Sequence, residues 1–312
     1  MSEGPEVKHT ADKIAGEILG RIIVDVRGKT IEQERNLREK IIGSRVLSVD
    51  TYGKNIIIHF SSGVFLRNHM MMWGKWRIYK RVEYDSGNAK PPPRIIWKRK
   101  LHKNKTNSGN TEKIIIKNKF KKFDTKKTKS IQNGSRTRLI LVTGTHAAVQ
   151  FNGPILQFTE NNPLNHEPIT KLGPDALKPK FVERAKERLK ERGNMKLADL
   201  LLDQTSVAGI GNKYKSEILF LQKLTTFKPA ISLSLSNQQR LLKSIQMVLK
   251  AGYLNAGRTR PQQKAEPSNK WDFKHWVFRR AGRPCWICGT EIVMDRKSSS
   301  RVTFWCSRCQ KS

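Results

Sequence analysis

Cys285-Trp286-Ile287-Cys288 is followed, after seventeen residues, by Cys306-Ser307-Arg308-Cys309, and these two pairs hold all 4 cysteines of the chain. Two Cys-x2-Cys pairs at this spacing are typical of a hairpin that binds Zn²⁺ through four thiolates. The alternative is a pair of local disulfides in a secreted protein. Because the stretch Ser2–Glu6 is acidic and polar, unlike a secretory signal, we expect a metal site and a reducing compartment.

The composition indicates a polyanionic partner. The 312 residues include 61 Lys+Arg against 26 Asp+Glu, which gives a formal net charge of +35 and a pI of about 10.4. Such a surplus favours phosphate binding, because each neutralised phosphate releases condensed counterion. No apolar run approaches the roughly 18 residues that a transmembrane helix needs. We therefore expect a nucleic-acid partner and no membrane.

The first 160 residues predict a β-rich domain that opens with a helix. Pro5 in the first turn, an apolar stripe and Gly20 as a stop predict this helix over 5–19. After a second helical stretch at roughly 31–42, short β-branched runs separated by glycine turns predict strands. The predicted strands are 21–26, 46–51, 55–60, 64–68, 76–79, 138–142 and 147–151.

Residues 94–129 break this pattern, with 14 Lys/Arg against 2 Asp/Glu directly after three prolines. They predict either a mobile insertion at about 88–136 or an elongated basic hairpin in which 113–117 forms one strand. Three interpretations stay open: a solvated loop, an extra contact to phosphates along a duplex, or a nuclear address.

From about residue 172 the apolar period becomes helical, with candidate helices at 181–191, 196–203, 212–223 and 237–251. The turn before the third helix reads Asp203-Gln204-Thr205-Ser206-Val207-Ala208-Gly209-Ile210-Gly211-Asn212. If Asn212 is the N-cap, this turn leaves backbone N–H groups free to bind a phosphate. Such turns are also common without a ligand, so this stretch alone is weak evidence.

In this order the segments resemble the Fpg/Nei family of bifunctional DNA glycosylases, over nearly the whole chain. The resemblance implies an α+β fold with a β-sandwich domain and an N-terminal helix (1–160), a helical helix–two-turn–helix domain (161–265) and a zinc-finger β-hairpin (271–312). The matching stretches are Glu3-Gly4-Pro5-Glu6-Val7, Gly53-Lys54, Leu172-Gly173-Pro174-Asp175, Asp203–Asn212, Ser299-Ser300-Arg301 and Cys285–Cys309.

The resemblance implies a base-excision-repair DNA glycosylase and AP lyase that acts through its N-terminal amine. Members attack C1′ of the damaged nucleotide, release the base through a Schiff base and cleave the strand by β/δ-elimination. Removal of Met1 would expose the amine of Ser2. An α-amine has a reference pKa of about 7.7–8.0, so a sizeable fraction is neutral at physiological pH. Glu3 is placed for proton transfer, and Glu6 is expected to orient the amine.

Ser2 departs from the family's usual proline. A primary amine gives a neutral imine instead of the iminium that proline forms, which puts the balance between base excision and strand cleavage in doubt. Other members without proline also act through this amine, so we expect Ser2 to be active.

The resemblance also implies DNA-binding residues. Three positions match residues that hold phosphates around a flipped nucleotide, and three match the wedge of the Nei branch that fills the emptied space. They are Lys54, Asn212 and Arg301 for the phosphates, and Met71, Met72 and Trp73 for the wedge. The competing interpretation of the methionines is core packing at a sheet edge.

The Nei branch (endonuclease VIII) fits better than the 8-oxoguanine branch, whose Arg-Arg-Phe-Gly stretch has no match in 148–153. We therefore expect oxidised pyrimidines as substrates, with 8-oxoguanine-type lesions as one alternative and a non-catalytic nucleic-acid-binding protein as another. The expected partner is damaged DNA, double- or single-stranded, bound by a monomer. We expect an intracellular protein that lies with the genome, in a nucleoid or a nucleus. The expected cofactor is one structural zinc ion held by Cys285, Cys288, Cys306 and Cys309.

Overall fold

The computed structural model describes residues 2–92, 95–103, 114–122, 131, 134–263, 271–296 and 299–310. For 95–103, 114–122 and Trp271 it describes the backbone alone. The expected removal of Met1 and parts of the basic insertion therefore lie outside the described residues. Within these ranges, no helix combines the length and the apolar character needed to cross a membrane.

Helix α1 (Gly4–Ile18) lies between the two halves of the molecule. Pro5 stands in its first turn, where a missing N–H removes no helical hydrogen bond. The buried side includes Val7, Ala11, Ile14 and Ile18, which are three or four residues apart and so share one face. Through this face α1 contributes to the core of the β-sandwich.

Two four-stranded antiparallel sheets share that core. The strands of the first sheet are β1 (Ile23–Arg27), β5 (Lys75–Lys80), β8 (Thr137–Thr143) and β9 (His146–Phe151), in the order β1-β8-β9-β5. Those of the second are β2 (Val46–Tyr52), β3 (Asn55–Phe60), β4 (Phe65–His69) and β10 (Ile155–Thr159), in the order β10-β4-β3-β2. The short helices α2 (Lys29–Gln33) and α3 (Arg35–Ile41) connect β1 of the first sheet to β2 of the second, and α4 (Arg81–Asp85) follows β5.

The register of the second sheet brings distant segments together. Strands β2 and β3 pair up to Tyr52 opposite Asn55, which leaves Gly53-Lys54 as a two-residue turn. Because Asn55 also lies opposite His69 at the end of β4, Lys54 and His69 lie at the same end of the strands. The segment Met70–Gly74 then crosses from this end to β5 in the first sheet.

The helical half consists of four helices around a separate core. They are α5 (Phe181–Glu191), α6 (Leu197–Leu202), α7 (Asn212–Leu221) and α8 (Leu235–Leu254). After them, β11 (Ile292–Asp295) and β12 (Thr303–Cys306) form an antiparallel hairpin that packs on α7. The buried carboxylate of Glu217 fixes the approach to this hairpin, because it accepts the backbone N–H groups of Trp276, Val277 and Phe278 at 2.8–2.9 Å.

The basic insertion contains an antiparallel hairpin of β6 (Ile95–Lys103) and β7 (Ile114–Lys122). Of the predicted strand at 113–117, the part from Ile114 belongs to a longer strand, and residue 113 lies outside the described residues. Other elements also differ from the predictions. The helical stretch at 31–42 divides at Glu34, whose φ of −105° and ψ of 58° interrupt the helix, and neither strand β10 nor the short helix α4 was predicted. The predicted α+β fold is confirmed.

Candidate active site

A cavity of about 160 Å³ lies where the second sheet, the start of α1 and the helical half meet. Its lining includes Ser2, Glu3, Lys54, Met71, Met72 and Arg301, all of which the sequence predicted as site residues. Glu6, Asn212 and Trp73 are not part of the lining. The fold thus brings one end of the chain, two strand turns and the C-terminal hairpin to one place.

The carboxylate of Glu3 is buried and bound by the first backbone amides of α7. Oε2 accepts the N–H of Gly211 at 3.0 Å and of Tyr214 at 3.2 Å, and Oε1 accepts the N–H of Lys213 at 2.9 Å. Burial raises the pKa of Glu3 above its ordinary value of 4.5, and the charge of Lys213 is the strongest opposing influence. A carboxyl group with a raised pKa beside Ser2 is suited to proton transfer.

This arrangement corrects the prediction for the start of α7. The N-cap is Gly211, in extended conformation (φ −128°, ψ −165°), and Asn212 is the first helical residue. The helix end binds Glu3, so the N–H groups of Gly211, Lys213 and Tyr214 are not free for a phosphate. Gly211 allows this close approach, because a Cβ there would lie 2.4 Å from Cδ of Glu3.

Three glycines fasten the β-sandwich to the helical half. The N–H of Gly4 donates to the carbonyl of Gly209 at 2.8 Å, and Gly209 has a φ of +96° that favours glycine. The N–H of Gly53 donates to Oδ2 of Asp175 at 2.8 Å, while Oδ1 accepts the N–H of Leu177. The matched stretches at Gly53 and Asp175 therefore meet directly, and they place Lys54 beside Glu3.

Lys54 is partly buried at the β2–β3 turn. Burial lowers the pKa of its ammonium group below the ordinary 10.5, Glu3 acts in the opposite direction and Arg301 in the same direction as burial. Lys54 and Arg301 both line the cavity, and a bound phosphate would relieve their mutual repulsion.

Glu6 contacts the backbone of Glu3 and does not line the cavity. Its Oε2 accepts the backbone N–H of Glu3 at 3.2 Å, and its Oε1 accepts the hydroxyl of Tyr214 at 3.1 Å and contacts Nζ of Lys213. Glu6 therefore holds the peptide that directly follows Ser2. Its predicted role in orienting the amine stays a prediction, with this contact in its support.

His69 lines the cavity but was not assigned a role from the sequence. Its Nδ1 accepts the N–H of Met71 at 3.1 Å, so the neutral ring carries its proton on Nε2. Burial lowers the pKa of His69, with Lys54 and Arg67 acting in the same direction. The signal available in the sequence was its position at the end of a strand, next to the predicted wedge.

The segment after His69 presents three apolar side chains to solvent. Met71, Met72 and Trp73 are 46%, 54% and 46% exposed, whereas Met70 is buried in the core. The turn is tight, because Met71 has a φ of +50° and a Cβ on Gly74 would lie 2.4 Å from the carbonyl oxygen of Met70. Core packing therefore describes Met70 alone, and the wedge role of the other three stays a prediction.

Arg301 extends from a hairpin loop that two polar side chains tie to the helical half. Oδ1 of Asp199 accepts the hydroxyl of Ser299 and the N–H of Ser300, both at 2.9 Å. The fully buried Nζ of Lys215 donates to the carbonyl of Arg301 at 3.4 Å, to that of Val302 at 3.2 Å and to Oγ1 of Thr303 at 2.8 Å. Neither Asp199 nor Lys215 was predicted, because both contacts depend on tertiary packing.

Asn212 lies beside the cavity at the start of α7. Its Oδ1 is buried and has no hydrogen-bond partner among the described residues. A buried polar atom without a partner is unusual in a folded protein. Because Oδ1 is an acceptor, it cannot itself bind a phosphate oxygen, and the contact of Asn212 to a phosphate through its NH₂ group stays a prediction.

The four cysteines meet at the base of the hairpin. Their Sγ atoms lie within 4.8 Å of one another, with 3.9 Å between Cys285 and Cys309 and 3.4 Å between Cys288 and Cys306. None forms a disulfide. Four thiol groups so close together form a site that could hold a metal ion, and the donor set fits a tetrahedral thiolate centre.

Two family profiles match the chain. The formamidopyrimidine-DNA glycosylase N-terminal domain matches residues 1–131, and the formamidopyrimidine-DNA glycosylase H2TH domain matches residues 172–263. Endonuclease 8 of Escherichia coli O17:K52:H18 (strain UMN026 / ExPEC) is 28% identical over 313 residues, covering 99% of this chain and 100% of the relative. Endonuclease 8 of Salmonella arizonae is 27% identical over 314 residues, covering 100% of both.

Solved structures share the fold over the same length. A complex between Lactococcus lactis Fpg and DNA containing an abasic site superposes with a TM-score of 0.71 at 19% identity, covering 100% of both chains. The MutM (Fpg) protein from Thermus thermophilus gives a TM-score of 0.69 at 25% identity, covering 99% of this chain and 98% of that one. The likeness therefore includes both halves of the molecule and the C-terminal hairpin.

Proposed function

The chain belongs to the Fpg/Nei family of DNA glycosylases, and we propose that it is a base-excision-repair DNA glycosylase and AP lyase that acts through the amine of Ser2. We further propose that it works as a monomer on damaged DNA, with the genome inside the cell. The proposed division of the chain is 1–160, 161–265 and 271–312.

The observation that carries this proposal is the buried carboxylate of Glu3, which accepts hydrogen bonds from three backbone amides at the start of α7, directly beside Ser2. This carboxylate satisfies the helix end and at the same time places a group suited to proton transfer next to Ser2. Lys54 and Arg301, which line the same cavity, supply the positive charge that a DNA strand requires.

The reaction follows from these positions. The neutral amine of Ser2 attacks C1′ of the damaged nucleotide, a C–N bond forms, and the bond from C1′ to the base breaks. Glu3 moves a proton within this site, towards the ring oxygen of the sugar and the departing base. The C1′–O4′ bond then breaks, O4′ takes up a proton and the nitrogen loses one, which leaves an open-chain imine. This imine makes the proton on C2′ acidic, and its removal expels the 3′ phosphate by β-elimination. Loss of the 5′ phosphate by δ-elimination completes the cut.

The DNA contacts proposed for this reaction position the strand and do not read its base sequence. Lys54, Asn212 and Arg301 would hold backbone phosphates around the flipped nucleotide. Met71, Met72 and Trp73 would fill the space that it leaves, and their exposure supports this role. Contacts of this kind allow an enzyme to inspect any sequence.

We propose one structural Zn²⁺ ion for the four-cysteine site. When bound, it would join both strands of the hairpin and so stabilise the loop that carries Arg301. With Cys285, Cys288, Cys306 and Cys309 as ligands, no position is left for a catalytic water. Purified protein should contain about one zinc per chain by elemental analysis, and metal-free folded protein with normal activity would contradict the proposal.

The lesion class is a finer proposal. Oxidised pyrimidines are favoured because the stretch 148–153 lacks the Arg-Arg-Phe-Gly pattern of the 8-oxoguanine branch, and the curated relatives named above are Endonuclease 8 proteins. The alternative is an Fpg-like preference. A panel of oligonucleotides with single oxidised bases, in single and double strands, tests the choice. Preferred excision of 8-oxoguanine would favour the alternative, and no excision of any lesion would leave a non-catalytic DNA-binding protein.

A further inference from the structure

Lys213 places a buried ammonium group directly behind Ser2 and Glu3. Its side chain is 9% exposed. Nζ contacts Oε1 of Glu6, donates to the carbonyl of Gly257 at 3.2 Å and lies 4.2 Å from the ring centre of Tyr214. The same residue donates its backbone N–H to Glu3. One residue therefore contacts both carboxylates of the N-terminal segment.

The two carboxylates need such a cation. Glu3 and Glu6 are joined by the 3.2 Å hydrogen bond from the N–H of Glu3 to Oε2 of Glu6. Burial raises the pKa of Glu3, the charge of Lys213 lowers it, and the charge of Glu6 adds to the rise. Gly257 packs closely against the ion pair of Glu6 and Lys213, because a Cβ at Gly257 would lie 2.5 Å from Oε1 of Glu6 and 3.2 Å from Nζ of Lys213.

We propose that Lys213 is a positioning residue for the reaction, which cancels the charge of Glu6 and thereby keeps the amine of Ser2 from being held as an ammonium ion. The inference rests on the proposed function. An amine flanked by two uncompensated carboxylates retains its proton to higher pH. A protonated amine cannot attack C1′, so the charge of Glu6 has to be balanced for a primary amine to act near neutral pH.

Other charged and titratable groups face the same region, and they include Lys215, which interacts electrostatically with Glu3, and His275, which interacts with Lys213. Lys54 lies on the β2–β3 turn, His69 at the end of β4 and Arg301 in the hairpin loop, and Arg279 interacts electrostatically with Glu3. These groups are unchanged in all the variants below. A change in pH dependence among those variants therefore reports on Lys213 and Glu6.

The test measures single-turnover borohydride trapping on DNA with an abasic site, between about pH 5.5 and 9.5. Lys213→Met keeps the length of the side chain but removes its charge. We expect the pH at which its trapping rate is half-maximal (the midpoint) to rise by about one pH unit or more. Lys213→Arg should keep the wild-type midpoint. Glu6→Gln, which can still accept the N–H of Glu3, should lower the midpoint.

The double variant Glu6→Gln/Lys213→Met separates charge balance from a merely structural role. Because both Glu6 and Lys213 are replaced by uncharged residues, neither charge is left buried alone. The double variant should therefore fold even if Lys213→Met alone does not. Its midpoint should return to within a few tenths of a pH unit of wild type. Affinity for undamaged DNA, measured on each variant, checks that the protein is folded.

Three outcomes would overturn parts of the proposal. An unshifted midpoint in folded Lys213→Met, or a double variant that traps no better than the single one, would overturn the role of Lys213 and leave the proposed function intact. Absence of any adduct with wild-type protein that begins at Ser2 would overturn the proposed function itself, and this inference with it.

Discussion

The backbone amide of Lys213 donates a 2.9 Å hydrogen bond to the carboxylate of Glu3, a residue 210 positions earlier in the chain. Through this bond the helical half fixes a carboxyl group beside the N-terminal amine. The candidate site therefore exists only when the two halves are docked, because neither half contains both groups.

Replacement of Glu3 by glutamine should abolish most base excision. The amide cannot transfer the proton, and general acid–base catalysis contributes about 10²- to 10⁴-fold. Its NH₂ group would also face a backbone N–H, so the melting temperature should fall slightly. Single-turnover excision and thermal unfolding measure the two effects. Glu183→Gln, on the exposed side of α5, is the control, and excision by Glu3→Gln within threefold of wild type would argue against the assignment.

Affinity for DNA should weaken with rising pH because of Lys54. Burial lowers the pKa of this ammonium group in the free protein, whereas a bound phosphate favours its charged form. As pH rises through the lowered pKa, binding must take up a proton, so the affinity falls before pH 10.5 is reached. Fluorescence anisotropy with an abasic-site analogue from about pH 7 to 10 measures this.

Lys54→Arg provides the matched variant for that measurement, because its guanidinium remains charged over the whole range. Its affinity should decline less than that of the wild type, because only other groups, such as Lys215, whose pKa burial lowers to about 8, lose charge over this range. Parallel curves for the two proteins would show that another group titrates, and Lys250→Arg on the exposed side of α8 controls for the substitution itself.

Lys215→Met should weaken DNA binding indirectly, through the loop that carries Arg301. Its Nζ supports the loop of Arg301 through three acceptors, and hydrogen bonds to charged groups contribute about 1.5–3 kcal/mol each. We expect the dissociation constant for an abasic-site analogue to rise roughly tenfold, while Lys243→Met on the exposed side of α8 changes little. A double-mutant cycle shows whether Lys215 acts through Arg301. If Lys215→Met weakens binding equally in an Arg301→Ala background, it does not.

Alanine at Met71, Met72 and Trp73 together should impair excision from a duplex more than from a single strand. A duplex loses stacking when a base leaves, by a few kcal/mol, and an apolar wedge replaces part of it. We expect at least a tenfold loss with duplex substrate and a smaller loss with single strands. Met247→Ala, at an exposed position on α8, should have no effect. Equal losses on both substrates would contradict the wedge role.

Local patterns predicted most of the fold. The strand at 55–60 and the helix at 181–191 are found at the predicted boundaries, because alternation and helical period are properties of neighbouring residues. The cysteine cluster was predictable for the same reason, since spacing within each pair fixes its geometry.

Contacts between distant residues were not predictable from such patterns. Asn212 was expected to cap α7 because asparagine is a preferred N-cap residue, but a carboxylate from the other end of the chain satisfies this helix end. The ion pair of Lys213 with Glu6 and the support of Arg301 by Lys215 likewise join segments that meet only in the folded protein. The resemblance to a family predicted the site residues, and the structure adds the groups that contact them.

The most direct test of the central claim is borohydride trapping with protein whose N-terminus is verified as Ser2 by mass spectrometry. With DNA that carries an oxidised pyrimidine or an abasic site, we expect a covalent protein–DNA adduct that survives denaturation. Protein that retains Met1, or is acetylated at Ser2, should form no adduct but bind the same DNA with nearly unchanged affinity. Equal trapping by the blocked protein, or no trapping by the processed one, would contradict the amine of Ser2 as the nucleophile.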